Sequence, residues 1–149
     1  MHFDFGLRQA ERRERRICMV SYSFYESDNR IIRYAEALAA RGDTVDVIAL
    51  RRGPGLAKVE SLNGVRIRRV QDRFDKNEGG PFGYLWPILR FALTAARHLA
   101  AGGRYDLVHV HNIPDFLIFS ALPARLRGAA LILDIHDIVP EFFASKFGK

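Results

Sequence analysis

The stretch that decides the fold is residues 16–50, RICMVSYSFYESDNRIIRYAEALAARGDTVDVIAL. Residues 17–23 form a short apolar run that predicts a buried strand, and residues 44–50 predict a second one. Between them, Ile31, Ala35 and Leu38 recur at helical spacing and predict a helix over residues 28–41. Asp28 is placed to cap that helix, and Gly42 to end it. The stretch is therefore one strand–helix–strand unit.

The rest of the chain repeats this alternation. Strands are predicted at 65–70, 106–111 and 129–135, and helices at 83–101 and 114–127. Residues 51–64 and 71–82 contain many turn-forming residues and are predicted to be loops. Alternating strands and helices indicate an α/β fold, a Rossmann-like doubly wound sheet that is mainly parallel. Right-handed crossovers give the strand order 3-2-1-4-5 with helices on both faces.

Length and composition exclude several classes of protein. The chain has 149 residues, of which 48% are hydrophobic and 27% charged, as in an ordinary globular domain. No run of about 18 apolar residues occurs, so no membrane span is predicted. A single cysteine, Cys18, excludes an intrachain disulfide and indicates a reducing compartment. The start of the chain, MHFDFGLRQAERRERR, lacks the apolar segment of a secretory signal, and we therefore predict a cytoplasmic location.

The net charge of +6 is concentrated in one place. Residues 51–73 carry seven Lys or Arg and two acids. Two interpretations stay open, a solvated basic edge or a patch that faces phosphate or anionic lipid. Nucleic acid is not a predicted partner, because the chain has no recognised binding module and no aromatic residues interleaved with the basic patch.

Polar residues gather where three predicted strands end. These segments are residues 23–30, 109–115 and 134–141, and ligands of doubly wound sheets bind at that edge. His109 is expected to be interior, whereas His111 is expected where the strand opens to solvent. No glycine lies between Gly6 and Gly42, which disfavours a dinucleotide site, and no compact ligand motif predicts a metal.

With these segments in view, the chain resembles the N-terminal domain of retaining GT-B glycosyltransferases of family 4. The resemblance covers about residues 15–149, through the opening stretch, YDLVHVHNIPD and LDIHDIVPEFF. It implies that residues 16–149 are the acceptor-side domain, that residues 1–15 are a basic, flexible or helical extension, and that the C-terminal donor domain is absent. The donor domain of the family carries two glutamates eight positions apart, and no two glutamates of this chain have that spacing.

The resemblance also implies roles for single residues. His136 matches the histidine that reaches toward the transferred sugar, and it is the predicted catalytic residue. Many members carry a Gly-Gly pair in the loop that matches residues 23–30, which this chain lacks. Asp115 has a second interpretation, as an acid that favours the start of the next helix. The predicted substrate-binding residues are Ser23, Asp28, Asn29, Arg30, His111, Asn112, Asp115, Asp137 and Glu141.

The implied activity is that of a hexosyltransferase that uses a nucleotide-sugar and needs neither a cofactor nor a metal. The implied mechanism is front-face displacement with retention, in which the leaving phosphate takes the acceptor's proton. The acceptor would be a cell-envelope glycan or a lipid-linked one, and the isolated chain would be inactive. The apolar residues of 81–101 predict a core helix or, alternatively, a peripheral contact with the inner face of an anionic membrane. The alternative functions are a non-catalytic binding module and one subunit of a split glycosyltransferase.

Overall fold

A computed structural model describes residues 13–73, 80–111 and 114–135 of the chain. The predicted N-terminal extension lies mostly outside these ranges. The strands are β1 (Arg16–Phe24), β2 (Thr44–Arg51), β3 (Val59–Leu62), β4 (Val65–Asp72), β5 (Leu107–His111) and β6 (Ala130–Asp134). The helices are α1 (Asn29–Ala40), α2 (Gly80–Ala101) and α3 (Leu122–Leu126), with 3-10 helices at Tyr25–Ser27 and Asp115–Ala121.

The six strands form one sheet in the order β3-β4-β2-β1-β5-β6. The five parallel strands follow the predicted 3-2-1-4-5 order, so the Rossmann-like α/β class is confirmed. The difference is β3, an antiparallel edge strand in a segment that we predicted to be a loop. Asn63 and Gly64 connect it to β4, both with positive φ, 49° and 80°. An Asn-Gly pair with this backbone makes the tight hairpin turn that the flanking strand twist favours.

Helix α1 covers one face of the sheet. The Asp28 carboxylate accepts a hydrogen bond from the backbone N–H of Ile31 and caps the helix, as predicted. Ile31 and Ala35 are buried against Met19 and Val47. Gly42 follows the helix with φ +94°, a conformation that favours glycine.

Helices α2 and α3 cover the opposite face, where Phe91 and Leu117 pack with Cys18 and Val110. The predicted helix over 114–127 is instead a 3-10 helix followed by α3, and Pro123 occupies the first turn of α3. Proline lacks a backbone N–H, which is tolerated in the first turn of a helix, so a new helix begins at Leu122, just before Pro123, rather than one helix continuing through it. Within the described ranges, no helix has both the length and the apolar character needed to cross a membrane.

A buried cluster of charged residues lies on the face of the sheet that α2 covers, near the end of α2. Asp46 is fully buried and accepts hydrogen bonds from Arg66 (Nη2–Oδ2 2.9 Å) and from the Tyr105 hydroxyl (2.7 Å). Arg16 Nη2 lies 3.5 Å from the same carboxylate. Burial alone would raise the pKa of Asp46, but the hydrogen bonds from Arg66 and Tyr105, with the charges of Arg66 and Arg16, outweigh burial and lower it. The cluster joins β1, β2 and β4 to the chain that follows α2.

Candidate functional site

The candidate site lies at the carboxyl edge of the sheet, between β1 and β5. The chain leaves these neighbouring strands toward opposite faces, which makes this the switch point where ligands of such sheets bind. Ser21 of β1 lies beside His111 of β5 in register. Two of the three predicted polar segments are therefore adjacent where they leave the sheet.

A chain of hydrogen bonds fixes the loop between β1 and α1. Ser23 Oγ donates to Asp28 Oδ2 over 3.2 Å, and the other carboxylate oxygen of Asp28 receives the Ile31 N–H. Ser21 and Ser23 share a hydrogen bond of 2.8 Å between their hydroxyls. Because Ser23 directs its one hydrogen to the carboxylate, Ser21 is the donor to Ser23. Two predicted substrate-binding residues, Ser23 and Asp28, thus also hold the loop to the start of α1.

Arg69 of β4 anchors the same loop from the side. Its side chain is 1% exposed, and its Nε lies 2.8 Å from Glu26 Oε1. The same guanidinium donates to Glu60 of β3 and to the carbonyl of Ala57. The sequence analysis did not predict the contact between Arg69 and Glu26, because these residues lie 43 positions apart.

Three other predicted residues lie on the surface. Asn29 and Arg30 are exposed in the first turn of α1, where they border a cleft of about 600 Å³ with Arg33, Tyr34 and Ala37. Asp115 is exposed at the first position of its 3-10 helix. Both interpretations of Asp115, a favourable charge at a helix start and a substrate contact, remain open at this position.

The two histidines of β5 are arranged differently from our expectation. His111 is 1% exposed, whereas the side chain of His109 is 14% exposed and borders an apolar cleft with Tyr34, Leu38 and Ile132. The expectation that the strand opens to solvent at His111 is wrong, because Asp134 of β6 packs beside it. The role of His111 in substrate binding stays a prediction.

Asp134 brings the two histidines into one cluster. Its Oδ2 lies 3.4 Å from His111 Nδ1 and 3.9 Å from His109 Nε2, and the two imidazole centroids are 4.1 Å apart. Tyr34 of α1 stacks on both rings, at 5.9 and 6.3 Å. Sequence analysis did not select Tyr34, although it stands three residues after Ile31 and four before Leu38, on the same face of α1.

This cluster contains the residues that could hold a metal. One ligand atom from each of His109, His111 and Asp134 lies within 4.8 Å of the others. A tetrahedral zinc ion keeps its ligand atoms about 3.3 Å apart. The distance between Asp134 Oδ2 and His111 Nδ1, 3.4 Å, is close to that value. The distance between Asp134 Oδ2 and His109 Nε2, 3.9 Å, would have to shorten. The sequence analysis predicts no metal, and this stays a prediction.

Four predicted residues lie outside the described ranges. They are the catalytic candidate His136 and the substrate-binding candidates Asn112, Asp137 and Glu141. His136 follows the last described residue, Ile135, directly in sequence, and Asn112 follows His111. In sequence, Asn112 therefore comes directly after β5 and His136 two residues after the end of β6, and both strands end at the edge that carries Ser23.

Comparison with known proteins identifies the family. The model of the glycosyl transferase 4-like domain matches residues 28–147, most of the chain. The chain belongs to the glycosyl transferase 4-like domain family. The match includes the α1 region, the cluster on β5 and β6, and His136. The chain matches none of the curated proteins at a significant level.

Solved structures with the same fold include a sucrose-phosphate synthase and a hydrogenase domain. Sucrose-phosphate synthase from Thermosynechococcus elongatus aligns with 91% of this chain, with a TM-score of 0.62 and 17% identity. This glycosyl transferase 4-like chain spans only 36% of that protein. The C-terminal domain of the PF1911 hydrogenase from Pyrococcus furiosus aligns with 82% of the chain and is itself covered to 92%, with a TM-score of 0.57 and 12% identity. At these identities the likeness concerns the fold alone.

Proposed function

We propose that this domain is the acceptor-side half of a retaining glycosyltransferase, which transfers a sugar from a nucleotide-sugar to a glycan or lipid-linked acceptor. The observation that carries the proposal is the family match over a switch point built from polar side chains. Ser23 lies near the end of β1 there, and Asp28 follows it before α1. His111, the last residue of β5, lies beside Ser21 in register. The hydrogen bonds around Ser23 preorganise the loop, so substrate binding would not have to order it.

The proposed site has only one of its two walls in this domain. Asn29, Arg30 and Asp115 are exposed at the edge of the sheet, where a second domain would face them. The domain corresponds to 36% of sucrose-phosphate synthase, which is consistent with a separate donor-binding half. We therefore propose that residues 1–149 alone do not transfer sugar.

In the proposed mechanism, the domain positions the acceptor hydroxyl while the leaving phosphate of the donor takes its proton. No protein base is needed, so the contribution of the domain is orientation and charge. His136 would contact the transferred sugar near its reacting carbon. The carboxylate of Asp28 opposes donor phosphates near α1, and Arg30 and the positive helix terminus would compensate for that charge.

We also propose a peripheral membrane contact through α2. Leu85, Trp86, Leu89 and Leu93 recur at helical spacing, and Trp86 and Leu93 are 64% and 56% exposed. Arg90 and Arg97 lie on the same helix, and such a combination suits an anionic membrane surface. A lipid-linked acceptor would then meet the domain at the membrane.

Two rivals use the same fold. A non-catalytic binding module would hold a glycan without any transfer, and a subunit of a split enzyme would act only with a separate donor-binding chain. In both alternatives, this domain would still bind the acceptor. They differ in whether transfer occurs once a donor domain is supplied.

Ligand binding to the ¹⁵N-labelled chain tests the assignment of the acceptor side. We expect soluble envelope oligosaccharides to shift resonances of Ser21, Ser23, Asp28 and His111 in a saturable way. UDP-glucose, UDP-N-acetylglucosamine and GDP-mannose should not bind saturably, because their site lies in the other half. Saturable binding of a nucleotide-sugar at these residues, with no oligosaccharide binding, would overturn the proposal. The Arg104→Gln chain, altered at an exposed residue before β5 at the opposite edge of the sheet, is the matched control.

A further inference from the structure

A strongly basic cleft of about 610 Å³ lies beside the candidate site, within the usual size range of ligand pockets. It is formed where β2 and β4 end at the carboxyl edge, between the start of β3 and α2. Six Lys or Arg side chains and one carboxylate line it. The charged lining residues are Arg51, Lys58, Arg68, Arg69, Asp72, Arg73 and Arg90, with His98 of α2.

Only part of this positive charge is neutralised by the protein. Arg51 pairs with Asp72 through two hydrogen bonds, and Arg69 is paired with Glu26 and Glu60. Among the described residues, no carboxylate lies within ion-pair distance of Lys58, Arg68 or Arg73. These three cations come from the segment before β3, from β4 and from the segment after it, so the fold brings them together.

Further cations strengthen the positive potential of the cleft. Arg52 and Arg73 both approach the ring of Phe24, the last residue of β1, at 5.1 and 5.6 Å. Two guanidinium groups, of which Arg73 lines the cleft, therefore contact one aromatic ring, although like charges repel. Burial lowers the pKa of His98, and the nearby charge of Arg68 lowers it further. A neutral His98 can donate a hydrogen bond to a ligand without adding to the repulsion among the cations of the cleft.

We propose that this cleft binds a phosphate or diphosphate group of the acceptor. Arginine suits phosphate because its planar N–H groups bind two oxygens at once, and Arg68 and Arg73 would do so here. The inference rests on the proposed function, since it assigns the anion to the acceptor side. Helix α2 carries both Arg90, which lines the cleft, and the exposed apolar residues Trp86 and Leu93. This arrangement suits an acceptor that has a phosphate next to an apolar chain. The phosphate could belong to a membrane lipid headgroup or to a free phosphorylated glycan.

Binding of two probes separates these sources. One arm titrates the ¹⁵N-labelled full chain with inorganic pyrophosphate at low salt. The other arm measures co-sedimentation with mixed vesicles of phosphatidylglycerol and phosphatidylcholine. Both arms compare the unchanged chain with Arg68→Gln and Arg73→Gln, and with Arg68→Lys as a charge-retaining variant. Arg104→Gln, at an exposed residue before β5, is a control of equal charge change.

In at least one arm, we expect Arg68→Gln and Arg73→Gln each to weaken binding five-fold or more. Arg104→Gln should weaken binding less than two-fold, and Arg68→Lys should retain part of it. Dependence in the pyrophosphate arm assigns a free phosphate group, and dependence only in the vesicle arm assigns a lipid headgroup. Absence of binding in both arms overturns the inference. Equal loss in Arg104→Gln overturns the inference as well, because binding would then follow net charge alone.

No donor and no transfer step enters this measurement. Failure to bind either probe would remove the phosphate site and leave the acceptor-side proposal intact. Anion binding at Arg68 and Arg73, without any sugar transfer once a donor domain is added, would instead keep the phosphate site and overturn the proposed function.

Discussion

Arg69 Nε lies 2.8 Å from the carboxylate of Glu26, and this contact ties β4 to the loop that leaves β1 for the candidate site. The guanidinium is almost fully buried, and Glu60 is its second anionic partner. A buried charge is tolerated only when it is paired and hydrogen-bonded. The position of the loop that carries Ser23 and Asp28 therefore depends on Arg69.

The first prediction concerns that buried charge. The double substitution Glu26→Gln with Glu60→Gln leaves Arg69 without an anionic partner, and we expect a loss of about 3 kcal/mol in the free energy of unfolding. Each single substitution should cost much less, because the other carboxylate remains. Urea unfolding followed by circular dichroism measures the difference. Asp72→Asn, at an exposed pair with Arg51, is the control and should leave the midpoint unchanged.

The second prediction concerns the pH dependence from Asp46. Its pKa is lowered on folding, so the ionised carboxylate contributes stability above the pKa of the unfolded chain, about 4. That contribution should disappear as the pH falls through the lower folded-state value. At pH 7, Asp46→Asn should cost about 3 kcal/mol, because Arg66 then has no charged partner.

Denaturation of both chains between pH 2 and pH 7 checks this. The difference in stability between the unchanged chain and Asp46→Asn should narrow below about pH 4. A difference that stays constant down to pH 2 would mean that the charge of Asp46 is not the stabilising feature. Asp115→Asn, at an exposed carboxylate, is the control and should change neither the stability at pH 7 nor its dependence on pH.

The third prediction separates two roles of Asp28. Asp28→Ala removes the cap of α1 and should cost about 1 kcal/mol of stability, whereas Asp28→Asn retains a capping oxygen and should cost far less. If the carboxylate faces donor phosphates, Asp28→Asn should also lower KM for the nucleotide-sugar in the completed enzyme. An unchanged KM with the expected loss of stability in Asp28→Ala would limit Asp28 to its structural role.

The fourth prediction concerns the face of α2. Trp86 is the one tryptophan of the chain, so its fluorescence reports on this face without labelling. Vesicles that contain phosphatidylglycerol should shift its emission to shorter wavelengths at low salt, as the ring enters the membrane interface. Leu89→Ser with Leu93→Ser should abolish the shift. Emission that is unchanged by anionic vesicles would refute the membrane contact.

The sequence predicted the parallel part of the sheet, since each buried strand and helix carries its own periodicity. Ile31, Ala35 and the capping Asp28 are examples of such local signals. It failed at β3, where Val59–Leu62 is exposed at every position and shows no burial pattern. The Asn63-Gly64 turn was the one available signal for that hairpin.

The candidate site could be predicted only in part. Ser23 and His111 were predicted because they lie at the ends of apolar strands, and Asp28 because it lies in the segment between β1 and α1. Their role in substrate binding stays a prediction. The burial of His111 depends on Asp134, which is distant in sequence and beside it in the sheet. The basic cleft was visible only as a charged stretch, because sequence does not tell which arginines, such as Arg69, are used in internal ion pairs.

Sugar transfer is the measurement that tests the central claim most directly. Radiolabelled nucleotide-sugars and extracted envelope glycans are supplied to the full chain, alone and with a donor-binding domain of the same family. We expect no transfer by the chain alone, transfer with retained anomeric configuration when the donor domain is added, and a loss of at least 100-fold in His136→Ala with an unchanged melting temperature. Transfer by the chain alone would contradict the account, as would full activity of His136→Ala or no transfer in the completed enzyme.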